Sequence, residues 1–235
     1  MTTSLRDAGI RLVLLDIEGT TTPIAFVHDV LFPYARARVR GWLSARPSTD
    51  PELKAIVDGL RREANDAREW SLDAIVAHVH ALMDEDRKST ALKRLQGHIW
   101  HEGYASGVLK SDVYPDVPIA LARWTRAEIG VGIFSSGSVL AQQLLFAHST
   151  AGDLTRFLRW HFDTSVGPKV EADSYRRITA AVGAAAREIL FVSDVTRELD
   201  AARQAGLETR LAVRAPAAPP AISVHEAIAT FDELQ

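Results

Sequence analysis

A short apolar run near the start of the chain limits its possible folds more than any other feature. The run Leu12–Leu15 is followed at once by two carboxylates, Asp16 and Glu18. Gly19 comes next and marks a turn. An uninterrupted apolar run that ends in a turn is typical of a strand buried on both faces of a sheet. Open α/β sheets bind ligands at the carboxyl ends of their strands, so the two acids are predicted to line a site, although a polar turn after a core strand would look the same.

The second half of the chain alternates between predicted strands and helices. Strands are predicted at 131–134, 161–163, 189–192 and, as the last one, 209–213; helices are predicted at 117–124, 139–146, 171–182 and 197–205. Such alternation indicates a parallel sheet with helices on both faces and right-handed crossovers. The first strand must join this sheet, because an isolated buried strand could not satisfy its backbone groups. The predicted fold class is therefore α/β, with a Rossmann-like parallel sheet.

The segment between the first strand and this alternating part predicts helices alone. Helices are expected at 27–43, with a break or bend at Pro33, at 51–62, from Ser71 onward, and at 89–104. The apolar residues in these segments recur at helical spacing, which favours helix–helix packing over a cofactor site. Residues 21–111 are therefore predicted to form an all-helical cap. It would be inserted into a core made of residues 1–20 and 112–235.

The composition limits the partners that can be expected. Hydrophobic residues make up 47% of the chain and charged residues 24%, and the net charge is -3. These are ordinary globular values, and the charge gives no reason to expect nucleic acid or an anionic membrane as a partner. The absence of cysteine excludes disulfides, thiolate metal sites and a cysteine nucleophile. With no signal-peptide pattern and no membrane-length apolar run, a cytoplasmic protein is expected, and since no large basic or apolar surface run calls for a partner, a monomer is expected.

Three later loops also follow predicted strands and precede predicted helices. Ser135 and Ser136 offer hydroxyls at a helix N-terminus, which suits a phosphate group, although a plain helix cap is an alternative. Lys169 could neutralise phosphate charge, or it could be an ordinary solvated lysine. Asp194 repeats the placement of Asp16 at a strand end, and carboxylates with phosphate and water are the ligands that Mg²⁺ prefers.

In chain order these loops supply an acid pair, serines, a lysine and an acid, all predicted to meet at one edge of the sheet. This order predicts a phosphatase that acts on a small-molecule phosphate ester, with Asp16 as nucleophile and Glu18 as proton donor and acceptor. Glu198 and Asp200 are interpreted as acids of a helix first turn, where the helix dipole favours them. One of the two could support the outer shell of a metal site.

The residues of these loops resemble a known family. The segment DIEGTTTPIAFV resembles the first motif of the haloacid dehalogenase-like hydrolases. Most members of that superfamily have Asp where this segment has Glu18, and the Glu makes the segment similar to one branch, the enolase-phosphatases (acireductone synthases) of methionine salvage. The segments HFDTSVGPKVEADSYRRI and ILFVSDVTRELDAA are similar to later motifs of that branch. The resemblance implies a Mg²⁺ ion held by three residues, Asp16, Glu18 and Asp194. It implies substrate contacts from three others, Ser135, Ser136 and Lys169.

The resemblance also implies a reaction. That family enolises 2,3-diketo-5-methylthiopentyl-1-phosphate and then removes the phosphate, giving 1,2-dihydroxy-3-keto-5-methylthiopentene. Asp16 would form an aspartyl phosphate, while Glu18 would protonate the leaving oxygen and then activate water. The cap would exclude water and receive the methylthio group. The base for enolisation stays open among Glu18, a serine and a cap histidine.

Three other functions fit part of the pattern. A phosphorylation-dependent receiver module uses similar residues, but its phospho-accepting aspartate follows a later strand and it lacks the long helical insertion. A phosphatase for another small ester, or a carbon–halogen hydrolase that needs no Mg²⁺, is a nearer alternative.

Two histidine pairs, His78 with His80 and His98 with His101, have spacings seen in metal sites, but no third ligand accompanies them.

Overall fold

The computed structural model describes residues 4–85, 87, 89–217 and 223–235. They form two compact units. The first unit comprises the residues up to Phe26 together with those from Lys110 to the end of the chain. The second unit runs from Val27 to Leu109.

The first unit extends further along the amino-terminal segment than residue 20. Residues 20–22 are fully buried within it. The backbone N–H of Tyr114, from the later part of the same unit, donates to the carbonyl of Thr21 at 3.0 Å. The helical unit therefore begins at residue 27 rather than at residue 21, and it ends at residue 109 rather than at residue 111.

The described part of the first unit contains a six-stranded parallel sheet. Its strands are β1 (Leu12–Leu15), β2 (Gly130–Phe134), β3 (Trp160–Phe162), β4 (Ile189–Ser193), β5 (Glu208–Ala212) and β6 (Glu226–Ile228). Their spatial order is β3-β2-β1-β4-β5-β6. Leu15 is in register with Ile133 of β2 and with Val192 of β4. The carboxyl ends of these three strands therefore lie side by side, and the predicted α/β fold class is confirmed.

Both faces of β1 are buried. Val13 and Leu15 pack in one apolar cluster with Trp124, whereas Leu12 and Leu14 pack in another with Tyr175. Each such buried aliphatic side chain contributes about 1.5–3 kcal/mol through removal of apolar surface from water. The uninterrupted apolar run is thus explained by a strand that has no solvent-facing side.

The helices fall into two sets, one in each unit. The helical unit contains α1 (Phe32–Ser44), α2 (Pro51–Glu63), α3 (Leu72–Asp84) and α4 (Thr90–Ala105); the first unit contains α5 (Asp116–Arg126), α6 (Val139–Ala147), α7 (Ala172–Val182) and α8 (Thr196–Gln204). A π-helical segment, Phe26–Leu31, precedes α1, and short 3₁₀ turns lie at Thr155–Phe157, Ala186–Glu188 and Phe231–Glu233. None of the helices in the described residues is long and apolar enough to span a membrane.

One sequence prediction about the strands is wrong, and two about the helices are confirmed. The strand at Glu208–Ala212 is not the last, because β6 pairs with it in parallel. The helix predicted at 27–43 is divided near Pro33, as expected: a π-helical segment ends at Leu31, and α1 begins at Phe32 with Pro33 in its first turn. Ser71 and Ser89 open α3 and α4, as expected, and act as N-caps that accept bonds from Ala74 N–H at 3.2 Å and Leu92 N–H at 2.9 Å.

Candidate active site

Asp16 stands at the carboxyl end of β1 and begins a tightly folded loop. Its side chain is buried, and its Oδ1 accepts a 2.8 Å hydrogen bond from the N–H of Ile17. The N–H groups of Thr20, Thr21 and Thr22 all donate to the carbonyl of Ile17, at 3.2, 2.9 and 2.9 Å. The hydroxyl of Thr21 lies 3.2 Å from the Asp16 carbonyl. These bonds fix the Asp16 carboxylate at the edge of the sheet.

Lys169 joins Asp16 to a second carboxylate. Its Nζ lies 2.6 Å from Asp16 Oδ1 and 2.6 Å from Glu198 Oε2, and its side chain is only 6% exposed. The hydroxyl of Tyr175 donates to the Lys169 carbonyl at 2.7 Å and holds the loop. Burial by itself lowers the pKa of Lys169, but Asp16 and Glu198 more than reverse this effect, so the pKa is raised. Lys169 is therefore a buried cation and not a solvated loop lysine.

Glu198 belongs to this cluster, although the sequence interpretation gave it, or Asp200, at most a supporting role in the outer shell of a metal site. It does lie in the first turn of α8, yet its side chain is buried and accepts a 3.0 Å bond from the Ser193 hydroxyl. Burial raises the pKa of Glu198, and the nearby charge of Asp16 raises it further. The one available signal was Ser193, a polar residue that ends an apolar strand. Asp200 points elsewhere, with Oδ1 3.0 Å from the Nε2 of His225.

Asp194 packs directly against the first loop. Gly19 adopts a positive φ of +67°, and a Cβ added there would overlap the Asp194 carboxylate, lying 2.6 Å from its Cγ. Burial, with the neighbouring charge of Asp16 as the next cause, raises the pKa of Asp194 to about 6. The two acids predicted at separate strand ends are thus close enough to repel each other.

A substitution at Gly19 tests this close approach. In Gly19→Ala the new methyl group displaces Asp194, so we expect the phosphatase activity predicted from the sequence to fall by about 100-fold, the scale of a 1 Å misplacement in an active site. Gly183→Ala is the matched control, because Gly183 has a φ of +69° and open space around its Cβ position. Both variants carry the same backbone strain. Equal activity of the two variants, measured as phosphate release, would contradict the placement of Asp194.

The serine loop follows β2, next to the Asp16 loop. Ser138 is the N-cap of α6 and accepts a 3.3 Å bond from Ala141 N–H, so Ser135 and Ser136 do not serve as the helix cap. Ser135 is buried and its Oγ accepts from Gly137 N–H at 3.2 Å, whereas Ser136 is exposed.

The amide of Gln142 holds the serine loop in place. Its Nε2 donates to the carbonyl of Gly137 at 2.9 Å and to that of Phe162, at the end of β3, at 2.8 Å. The N–H of Ser135 donates to the same Phe162 carbonyl at 3.2 Å. The shape of the serine loop is therefore set by the neighbouring strand as well as by its own turn.

The structure thus gathers most of the predicted site residues at one edge. Asp16, Lys169 and Asp194 interact directly or through their charges. Glu18 lies on the Asp16 loop with an exposed side chain, and its backbone forms a bridge with Thr22. Ser135 and Ser136 follow the strand next to β1, which places them at the same edge of the sheet.

The donors present suit a hard divalent cation. Asp16 and Asp194 are neighbouring carboxylates whose mutual repulsion a cation would relieve. Across the described ranges, no group of three or more His, Cys, Asp or Glu side chains is placed to hold a metal by itself. Backbone carbonyl, phosphate or water oxygens would therefore have to complete the coordination, as is usual for Mg²⁺.

The histidine pairs of the helical unit have other contacts. His98 Nε2 lies 3.1 Å from a Glu52 carboxylate oxygen, and the ring of His78 packs against Trp70 with centroids 4.8 Å apart. His80 Nε2 lies 3.3 Å from the carbonyl of Arg36. Since no group of three His, Cys, Asp or Glu side chains in the described part of the chain could hold a metal, these contacts give the histidine pairs no support as a metal site.

Comparisons with known proteins agree with this geometry. A family model described as haloacid dehalogenase-like hydrolase matches residues 10–206. The chain is 50% identical over 233 residues to Enolase-phosphatase E1 of Synechococcus elongatus, covering 96% of this chain and 98% of that one. It is 48% identical over 225 residues to Enolase-phosphatase E1 of Klebsiella pneumoniae, with 96% of each chain covered.

Solved structures show the same fold. The UTR4 protein of Saccharomyces cerevisiae superposes with a TM-score of 0.81 at 35% identity, covering 95% of this chain and 99% of that chain. CbbY of Rhodobacter sphaeroides, crystallised with phosphate, superposes with a TM-score of 0.60 at 17% identity and 96% coverage of each chain, which supports the fold alone.

Proposed function

Because this chain belongs to the haloacid dehalogenase-like hydrolases and, within them, to the enolase-phosphatases, we propose that it acts on 2,3-diketo-5-methylthiopentyl-1-phosphate. It enolises this diketone and removes its phosphate, giving 1,2-dihydroxy-3-keto-5-methylthiopentene for methionine salvage. The observation that carries the proposal is the buried cluster in which Lys169 Nζ lies 2.6 Å from Asp16 Oδ1.

Asp16 is the nucleophile in this proposal. Its carboxylate is buried at a strand end, where the raised pKa of Lys169 keeps an ammonium group beside it at neutral pH. The ammonium offsets repulsion between the anionic carboxylate and an approaching phosphate ester. Attack on phosphorus forms an aspartyl phosphate, which splits one difficult displacement into two easier steps.

Glu18 is the proton donor and acceptor of the reaction. It is exposed on the Asp16 loop, so it can meet the substrate, and it stands two residues from the nucleophile. It protonates the oxygen that leaves phosphorus and later takes a proton from the water that attacks the aspartyl phosphate. Ser135, Ser136 and Lys169 hold the phosphoryl oxygens while charge spreads over them.

A Mg²⁺ ion fits the same site. Asp16, Asp194 and the backbone carbonyl of Glu18 would hold it, which explains why two carboxylates stand side by side and why Asp16 helps to raise the pKa of Asp194. When bound, Mg²⁺ supplies positive charge that offsets repulsion between the nucleophile and the ester. The residue that removes the proton during enolisation stays open among Glu18, a serine and a histidine of the helical unit. The cap function of that unit, the monomeric state and the cytoplasmic location also stay predictions.

A time course with the diketone phosphate and Mg²⁺ tests the function. We expect the ultraviolet absorbance of the enol to rise together with free phosphate. Phosphoglycolate and other small esters, assayed in competition, distinguish this activity from that of a phosphatase for another substrate. Release of phosphate from another ester at a higher kcat/KM than from the diketone would contradict the proposed substrate.

Removal of the metal is the second arm of the same experiment. EDTA should lower phosphate release by roughly 100-fold or more, since a catalytic cation contributes several kcal/mol of charge stabilisation. Added Mg²⁺ should restore the activity. Full activity in EDTA would refute the metal site and would favour a metal-independent hydrolase.

A further inference from the structure

A buried ion pair lies behind the loop that carries Glu18. Nη1 of Arg214 is 2.7 Å from Oδ2 of Asp116, and the two side chains are 6% and 9% exposed. Asp116 begins α5 and Arg214 follows β5. The same carboxylate oxygen accepts a 2.6 Å bond from the N–H of Phe231. The pair therefore needs an explanation of its own.

The guanidinium of Arg214 is aimed at the Asp16 loop. Nε and Nη2 both donate to the carbonyl of Thr20, at 2.9 and 2.8 Å. Nη1 also donates to the carbonyl of Ala229 at 3.1 Å. The rings of Tyr114 and Phe231 lie 4.5 and 4.4 Å from its Cζ. The Arg214 guanidinium is therefore held in one orientation by its ion pair, its hydrogen bonds and aromatic packing.

The Thr20 carbonyl lies two residues beyond Glu18, in a loop that is bonded mainly to itself. Its N–H groups converge on the Ile17 carbonyl, and Gly19 N–H donates to Thr22 at 2.9 Å. A loop closed in this way keeps its shape, but its position relative to the sheet depends on contacts with other segments. The paired bonds from Arg214 to Thr20 are such contacts.

We propose that Arg214, oriented by Asp116, is a positioning residue for proton transfer by Glu18. This inference rests on the acid role given to Glu18 above. Buried ion pairs are often no more stabilising than apolar residues of similar volume, so stability alone does not explain this one. What the pair supplies is two parallel N–H donors on a carbonyl of the catalytic loop. A displacement of that loop by 1 Å would weaken proton transfer by Glu18.

A comparison of the rates on two phosphate esters distinguishes a positioning role of Arg214 from a merely structural one. The alkoxide that leaves the diketone phosphate needs a proton, whereas 4-nitrophenolate, a far weaker base, leaves without one. A displaced Glu18 therefore slows the first ester more than the second. Loss of folded enzyme would lower both rates equally.

Two variants remove the paired N–H donors of Arg214 in different ways. Arg214→Lys keeps the positive charge but replaces the planar fork with a point charge. The double variant Asp116→Leu with Arg214→Met removes both charges and keeps similar volume, which protects stability if the single variant is weakly folded. Arg210→Lys is the matched control, because Arg210 lies on β5 and pairs with Glu226 at 3.0 Å. Thermal unfolding of each variant sets an assay temperature below its midpoint.

We expect kcat/KM, which reports the steps up to formation of the aspartyl phosphate, to fall at least about tenfold more for the diketone phosphate than for 4-nitrophenyl phosphate in both variants. Glu18→Gln, as the reference, should show the same selectivity with a difference of about 100-fold. Arg210→Lys should show none.

The outcomes distinguish failure of the Arg214 positioning role from failure of the acid role of Glu18. Equal losses on both esters in the Arg214 variants, while Glu18→Gln keeps its selectivity, overturn the positioning role alone. Equal losses in Glu18→Gln overturn the acid role of Glu18, and the positioning role falls with it.

Discussion

Phosphate release should fall by roughly 10⁴-fold or more in Asp16→Asn, as it does when other enzymes lose a covalent nucleophile. Asparagine has almost the same shape and can still accept the bond from Ile17 N–H, but its neutral amide does not attack phosphorus. The measurement is free phosphate from the diketone ester, together with a search for acid-stable phosphoenzyme after a rapid quench. Neither should appear above background.

The same variant separates the two chemical steps. Accumulation of the enol phosphate without phosphate release would show that Asp16 is not required for enolisation. The absence of any enol signal would leave the division into two steps without support. Asp200→Asn is the control, since Asp200 is an acid that pairs with His225 outside the cluster. Undiminished phosphate release by Asp16→Asn would end the case for Asp16 as nucleophile.

Lys169→Met should lower both stability and activity. The variant leaves Asp16 and Glu198 buried without their shared cation, and breaking a buried ion pair from one side costs about 3–5 kcal/mol in unfolding free energy. Activity should fall by about 1000-fold, because the phosphoryl charge also loses a donor. Lys110→Met, at an exposed lysine of the same unit, should change neither quantity.

The pH dependence of this loss has a definite sign. The pKa of Glu198 is already raised by burial and by Asp16, while Lys169 lowers it. Without Lys169 that pKa rises further, so the folded variant binds protons more tightly than the unfolded chain and gains stability as pH falls. Denaturant unfolding should therefore show a larger deficit at pH 8 than at pH 5. A deficit that grows in acid would contradict the buried cluster.

The sequence predicts the centre of this molecule well for physical reasons. Strands β1, β2 and β4 are apolar on both faces, so their runs are uninterrupted and easy to recognise. The strand β6 was missed because Glu226 and Ala227 are exposed at the sheet edge and only Ile228 is buried. Edge strands of three residues leave almost no pattern.

The site was predictable where a residue type and its place at a strand end were sufficient. Asp16 and Asp194 follow that rule, whereas Lys169 lies in the loop between β3 and α7 and could equally have been a solvated lysine. Glu198 does not, because the first turn of any helix favours acids and only the folded chain shows its contact with Lys169. The pair of Arg214 with Asp116 is likewise a contact between distant segments, which no local pattern encodes.

The position of β1 in the sheet has a consequence for biosynthesis. Its two neighbours begin at Gly130 and Ile189, so the first strand to leave the ribosome must wait for most of the chain before it can pair. Forming such distant contacts is slow because a long loop must close first. The helical unit is continuous in sequence and can fold during that wait. Nascent chains halted before β2 should therefore expose an unpaired apolar strand, the kind of segment that chaperones bind.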